Sequence, residues 1–187
     1  MSVLKVYSVV CVLWCVSEFV WARIATGVRS QGLDRDSLGV IRITILLAIV
    51  GGVAAQKSGI ANWHRHARAL LLAATVLVVV GVAIRLLAIL TLKKFFTVHV
   101  TILGDHQLIQ RGLYAHIRHP SYLGALITFL GVGLGMCNGL SLLIVFLPIL
   151  GAFLYRIRVE EQALQQRFGQ EYTVHCDSTK RLVLWLY

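Results

Sequence analysis

Residues 118–161 read RHPSYLGALITFLGVGLGMCNGLSLLIVFLPILGAFLYRIRVEE, and this stretch decides the fold. Between Tyr122 and Tyr155 every residue is apolar, small or weakly polar, and Asn138-Gly139 near the midpoint is a turn signal. The stretch is a there-and-back excursion of two antiparallel helices. One end carries Arg118-His119-Pro120-Ser121-Tyr122 and the other Arg156 with Glu160-Glu161, so the hairpin returns both clusters to one side. Charges of both signs beside lipid are costly to desolvate, and their pairing reads as a site rather than surface decoration.

The rest of the chain repeats the apolar pattern. Of 187 residues, 58% are hydrophobic and 14% charged, against roughly a quarter charged in soluble proteins. Apolar runs predict helices over 6–22, 40–55 and 67–92, then 122–137 and 140–155 in the hairpin. The expected fold is an all-α integral membrane protein of about five spans, forming one membrane domain over 1–187. Residues 1–92 hold three N-terminal spans; residues 93–187 hold a connector, the hairpin and a C-terminal amphipathic helix. The first run has no alanine-x-alanine cleavage site after it and precedes further spans, so it is read as a retained span.

The net charge of +10 sits in short segments between apolar runs, without a basic stripe interleaved with aromatics. That excludes a nucleic-acid surface and fits attraction to anionic membrane lipids. Cys11, Cys15, Cys137 and Cys176 show neither metal-ligand nor disulfide spacing. Arg and Lys gather on one side of the spans, from Arg23 to Arg42, from Lys93 to Arg118 and from Arg156 to Arg181, leaving Lys5, Lys57, Arg65 and Arg68 on the other. The positive-inside rule then puts the amino terminus outside and the carboxyl terminus, with both clusters, in the cytosol.

Residues 93–120 form the longest polar stretch. Thr97 to Ile102 alternates weakly and is β-branched, which suits an extended segment, and Gly104-Asp105 is a turn signal, so a structured connector lining a cavity is expected. His119-Pro120 fits a helix start, with the Ser121 and Tyr122 N–H groups turned toward the connector, an arrangement that favours an anion. Tyr114 and Tyr122 serve as interfacial anchors or as aromatic faces for an onium cation. Past Arg156 the last helix continues as an amphipathic stretch until Gly169. Arg156 and Glu160 are four apart, the spacing of an ordinary intrahelical ion pair, but they stand where the helix leaves the bilayer opposite His119. Gly131 and Gly135 match the small-x-x-x-small pattern of close helix contact. His116 and His119 lack a coherent third metal ligand, and no metal site is expected.

At these residues the chain resembles the isoprenylcysteine carboxyl methyltransferase family of integral membrane enzymes. The likeness runs from His99 to the end: His106-Gln107-Leu108-Ile109, Gly112-Leu113-Tyr114, Arg118-His119-Pro120-Ser121-Tyr122, Arg156 with Glu160-Glu161, then Phe168-Gly169 and Glu171-Tyr172. The resemblance implies S-adenosylmethionine as methyl donor, bound by His99, His106, Gln107, Leu108, Ile109, Tyr114, His119, Pro120, Ser121, Tyr122 and Glu160. It implies Arg156 as the residue that contacts the substrate carboxylate. His99 and Leu113 depart from the family pattern, where an amide or acidic residue and often proline stand. Residues before Leu92 carry no family motif; in such enzymes they shape the entry of the lipophilic substrate.

A carboxylate with a pKa near 3.5 is already ionised at neutral pH, so its methylation needs no general base, and the lack of a catalytic triad is expected. A membrane reductase of sterol-like substrates using a nicotinamide cofactor is the second reading, because it shares a His-Pro-x-Tyr turn; a non-catalytic helical scaffold is the third.

Overall fold

A computed structural model describes residues 2–25, 37–92 and 108–182. Among these residues six α-helices follow in order: α1 (Val3–Ala25), α2 (Ser37–Lys57), α3 (Ala67–Leu92), α4 (Pro120–Gly135), α5 (Gly139–Phe168) and α6 (Gln170–Ser178), with 3-10 turns at His64–His66 and Gly112–Ala115. The expected extended segment at Thr97 to Ile102 and the turn at Gly104-Asp105 lie outside the described residues. Among the described residues, four helices, α1, α2, α3 with its preceding turn, and α5, are long and apolar enough to cross a membrane. The predicted fifth, α4, has 16 residues. Its rise of about 24 Å falls short of a hydrocarbon core of about 30 Å.

The long helices turn apolar side chains outward. Leu13, Leu46, Leu47, Val76 and Leu90 are all exposed, which a bilayer tolerates and water does not. The chain is an integral, multi-pass membrane protein. Inside the bundle, α2 packs along α5, where Ile41 and Ala48 join Val145, Ile149, Ala152 and Phe153 in one cluster with Phe129 of α4.

Helices α3 and α4 approach through glycine. A Cβ on Gly124 would lie 2.6 Å from both the Gly81 carbonyl oxygen and the Arg85 amide nitrogen. Both obstacles are backbone and cannot swing aside. Gly124→Ala is therefore expected to cost about 1–3 kcal/mol, seen as a lower thermal unfolding midpoint in detergent. The Gly131 and Gly135 pattern marks close contacts as expected, but with two partners: Gly131 meets Ala74 and Val78 of α3, and Gly135 meets the Tyr7 ring of α1.

The tip of the hairpin is pinned by Asn138. Its Oδ1 accepts from the Ser141 amide at 2.8 Å, capping α5, and its Nδ2 donates to the Ile60 carbonyl at 2.6 Å and to Asn62 Oδ1 at 2.7 Å. At the opposite end α5 runs through Pro148 to Phe168, ending as expected at Gly169, whose φ of +52° lies where a side chain would be strained. The chain then turns into α6 and returns alongside the start of α4. Arg118 N donates to Lys180 O at 2.8 Å, His119 N to Arg181 O at 3.1 Å and Lys180 N to His116 O at 3.0 Å.

Candidate active site

The hairpin brings its two charged ends together. His119, the N-cap of α4, is buried, and its ring stacks on Tyr122 with centroids 5.6 Å apart and planes 16° from parallel. Its Nδ1 lies 3.9 Å from Glu160 Oε2 and its Nε2 3.4 Å from Glu161 Oε1. Pro120 occupies the first turn, where its missing N–H costs nothing. The Tyr122 amide, expected to face the connector, donates instead to the His119 carbonyl at 3.1 Å. A tight first turn explains this difference.

Arg156 and Glu160 share a helix face, yet Tyr122 stands between them. The Tyr122 hydroxyl donates to Glu160 Oε2 at 2.6 Å, and Arg156 Nε lies 3.4 Å from the same hydroxyl oxygen. Arg156 itself is 2% exposed, and its Nη1 donates to Ser37 Oγ at 2.6 Å. A guanidinium so buried keeps its charge and demands hydrogen-bond partners. Phe153 closes the membrane side of Tyr122, at a centroid distance of 5.4 Å.

The adjacent glutamates face different partners, as a rotation of about 100° per residue requires. Glu161 accepts from Arg118 Nε at 3.0 Å and Arg181 Nε at 2.8 Å. Arg118 also donates through Nη1 to the Cys176 carbonyl at 3.0 Å and to the Thr179 carbonyl at 2.6 Å, satisfying the end of α6. Glu161 thus ties the returning tail to the start of α4, while Glu160 is turned to Tyr122.

Of the other expected site residues, Tyr114 is buried in its 3-10 turn, Pro120 and Ser121 are buried, and Leu108 and Ile109 are half-buried where the connector ends. Burial first, then the charge of Glu160, pushes the Tyr114 phenol well above its usual range, so it stays protonated. His99, His106 and Gln107 lie outside the described residues.

Three polar contributors were not foreseen. Arg85 of α3 grips Glu18 of α1 with two nitrogens, Nη2 donating to Oε2 at 2.8 Å, while its Nη1 donates to Ser121 Oγ at 3.0 Å. The third is Ser37. An arginine in one apolar run and a glutamate in another were the available signal, since a charge within a span needs a partner. Removing one member of this pair should cost more than removing both: Glu18→Leu is expected to lower the unfolding midpoint by about 5 °C, and Arg85→Leu added to it to recover part of that loss.

A sequence profile of the isoprenylcysteine carboxyl methyltransferase (ICMT) family matches residues 73–166, half of the chain. A probable protein-S-isoprenylcysteine O-methyltransferase from Oryza sativa subsp. indica is 39% identical over 99 residues, which are 52% of this chain and 52% of the rice protein. Protein-S-isoprenylcysteine O-methyltransferase from Saccharomyces cerevisiae is 44% identical over 69 residues, 37% of this chain and 29% of the yeast protein. The chain spans about half the length of the plant relatives it matches. The fold is similar to the solved structure of a eukaryotic intramembrane Ras methyltransferase, with a TM-score of 0.72 at 23% identity, covering 96% of this chain and 65% of that one. The profile match takes in the helix of Arg85, the His-Pro-Ser-Tyr turn and the Arg156 to Glu161 face together, and the chain belongs to the isoprenylcysteine carboxyl methyltransferase family.

Proposed function

We propose that this protein transfers a methyl group from S-adenosylmethionine to a carboxylate on a lipophilic substrate at the membrane face, such as the C-terminal carboxylate of an isoprenylated cysteine. The observation that carries the reading is the buried Arg156, linked through the Tyr122 hydroxyl to Glu160 beside the His119-Pro120 turn. The names of the matched relatives support the substrate class.

The donor set suits the methyl donor. Glu160 is a carboxylate only partly covered, bonded by the Tyr122 hydroxyl and close enough to Tyr114 to act on its phenol, and an anion among aromatic residues is a combination that attracts onium and ammonium groups. In this reading Leu108, Ile109, Tyr114, His119, Pro120, Ser121, Tyr122 and Glu160 hold S-adenosylmethionine, with His99, His106 and Gln107 of the connector. When bound, that molecule supplies an electrophilic methyl group on a sulfonium. Arg156 then orients the substrate carboxylate with its planar group, Phe153 and Tyr122 keep water from the reacting atoms, and no residue needs to remove a proton. The charged end faces the cytosol by the positive-inside count, which is where the methyl donor is made available.

Calorimetry on detergent-solubilised protein tests the cofactor: S-adenosylhomocysteine is expected to bind and NADPH not to. Binding of NADPH alone would return the reductase reading, and binding of neither would favour a scaffold.

A further inference from the structure

Helix α2 carries no motif of the matched region, yet its first residue reaches the centre of the site. Ser37 is fully buried, and its Oγ accepts from Arg156 Nη1 at 2.6 Å. The pose is held from far along the helix: α2 is packed on α5 through Ile41 and Ala48, and near its other end the Gly52 carbonyl accepts from Ser141 Oγ at 2.7 Å. Two polar links, one near each end of α2, fix its height along α5. Ser37, at the first link, is thereby held at a set distance from Arg156.

The geometry of the guanidinium gives this a chemical consequence. Arg156 is planar, and two of its nitrogens are addressed from different helices: Nη1 by Ser37 of α2 and Nε by the Tyr122 hydroxyl of α4. Because the planar group is also tethered through Cδ, fixing two of its nitrogens fixes its plane and hence the direction of Nη2. We propose that Ser37 is a positioning residue, acting through Arg156 to set the angle at which the guanidinium meets the substrate carboxylate. The proposal rests on Arg156 being the carboxylate-orienting group. It assigns α2 a part in the chemistry: this N-terminal helix sets the aim of the site from outside the matched region.

Short packing demands alone do not call for a hydroxyl at this place in the chain. Alanine would fill nearly the same volume, so Ser37→Ala should fold and leave Arg156 charged but without its Nη1 anchor from α2. The test measures kcat and KM for a farnesylcysteine analogue, together with S-adenosylhomocysteine affinity and thermal midpoint, on one preparation each of wild type, Ser37→Ala, Ser37→Thr, Arg156→Lys and the Ser37→Ala/Arg156→Lys double variant. Ser37→Ala is expected to lower kcat/KM about tenfold, the effect of misdirecting one reacting partner, with S-adenosylhomocysteine affinity within about twofold of wild type. Ser37→Thr, which keeps the hydroxyl, is expected to retain more activity than Ser37→Ala. Because Ser37 acts through Arg156, the double variant should be no slower than Arg156→Lys alone; independent structural damage would instead multiply. Unchanged kcat/KM in Ser37→Ala, loss of S-adenosylhomocysteine binding with it, or multiplied losses in the double variant would each overturn the proposal. Failure of the underlying reading looks different, since wild type itself would then transfer no methyl group.

Discussion

Replacing Arg156 by lysine is expected to lower methyl transfer about a hundredfold while S-adenosylhomocysteine affinity stays within about twofold. Lysine keeps the positive charge, so the buried site is not left with an unbalanced Glu160. What it loses is planarity: an ammonium cannot donate to Ser37 Oγ and meet the Tyr122 hydroxyl while also presenting a two-point grip to a carboxylate. The decrease should appear in kcat, because alignment matters most at the transition state. Single-turnover transfer and equilibrium binding on the same preparation check this. Normal turnover would assign Arg156 to structure, and lost cofactor affinity would assign it to the cofactor pocket.

The second large effect separates the adjacent glutamates. Glu160→Gln is expected to weaken S-adenosylhomocysteine binding about tenfold or more with little change in stability, because its carboxylate is partly exposed and its partner is the Tyr122 hydroxyl. Glu161→Gln should do the reverse. It leaves Arg118 and Arg181 without the anion that joins them, and removing one partner of such a cluster costs about 3–5 kcal/mol when it is buried. The tail from Thr179 to Leu182 and α6 should then protect their amides less from hydrogen exchange, while α2 and α3 are unaffected. Equal losses of affinity from the two substitutions would contradict this division of labour.

The hairpin was legible because it is a polarity boundary. An uncharged, mostly apolar stretch from Leu123 to Leu154 with Asn138-Gly139 inside it has few alternatives, and the meeting of His119 with Glu160 and Glu161 follows from its closure. Glu160 and Glu161 could be told apart only in helical phase; the task of Glu161 depends on Arg181, which the chain brings back after a turn at Gly169 and the short α6, and nothing local announces that return. Arg85 and Glu18 were visible as charges within apolar runs, but their pairing depends on which spans are neighbours, a matter of packing between α1 and α3. Ser37 carried the least signal. A serine at a helix start is an ordinary cap, and only the placement of α2 against α5 turns it toward Arg156.

In the proposed reaction the carboxylate is already ionised, and the two tyrosines near Arg156 are consistent with a site that uses no catalytic base. Tyr122 donates to Glu160 rather than standing ready to accept a proton, and Tyr114 is held protonated by burial and by the negative charge of Glu160. Under the proposed function such a site would align an anion that is already formed.

The central claim is methyl transfer to a carboxylate, and the chemistry of the product tests it most directly. Purified protein in detergent or nanodiscs, given S-adenosylmethionine labelled in the methyl group and a farnesylcysteine analogue, is expected to form a lipophilic labelled product that releases the label as volatile methanol in mild alkali, the behaviour of a methyl ester. The same analogue with its carboxylate converted to an amide should take up none. Absence of labelled product from a preparation that binds S-adenosylhomocysteine, with farnesylcysteine and other lipophilic carboxylic acids alike, or a product whose label resists alkali, would contradict the account.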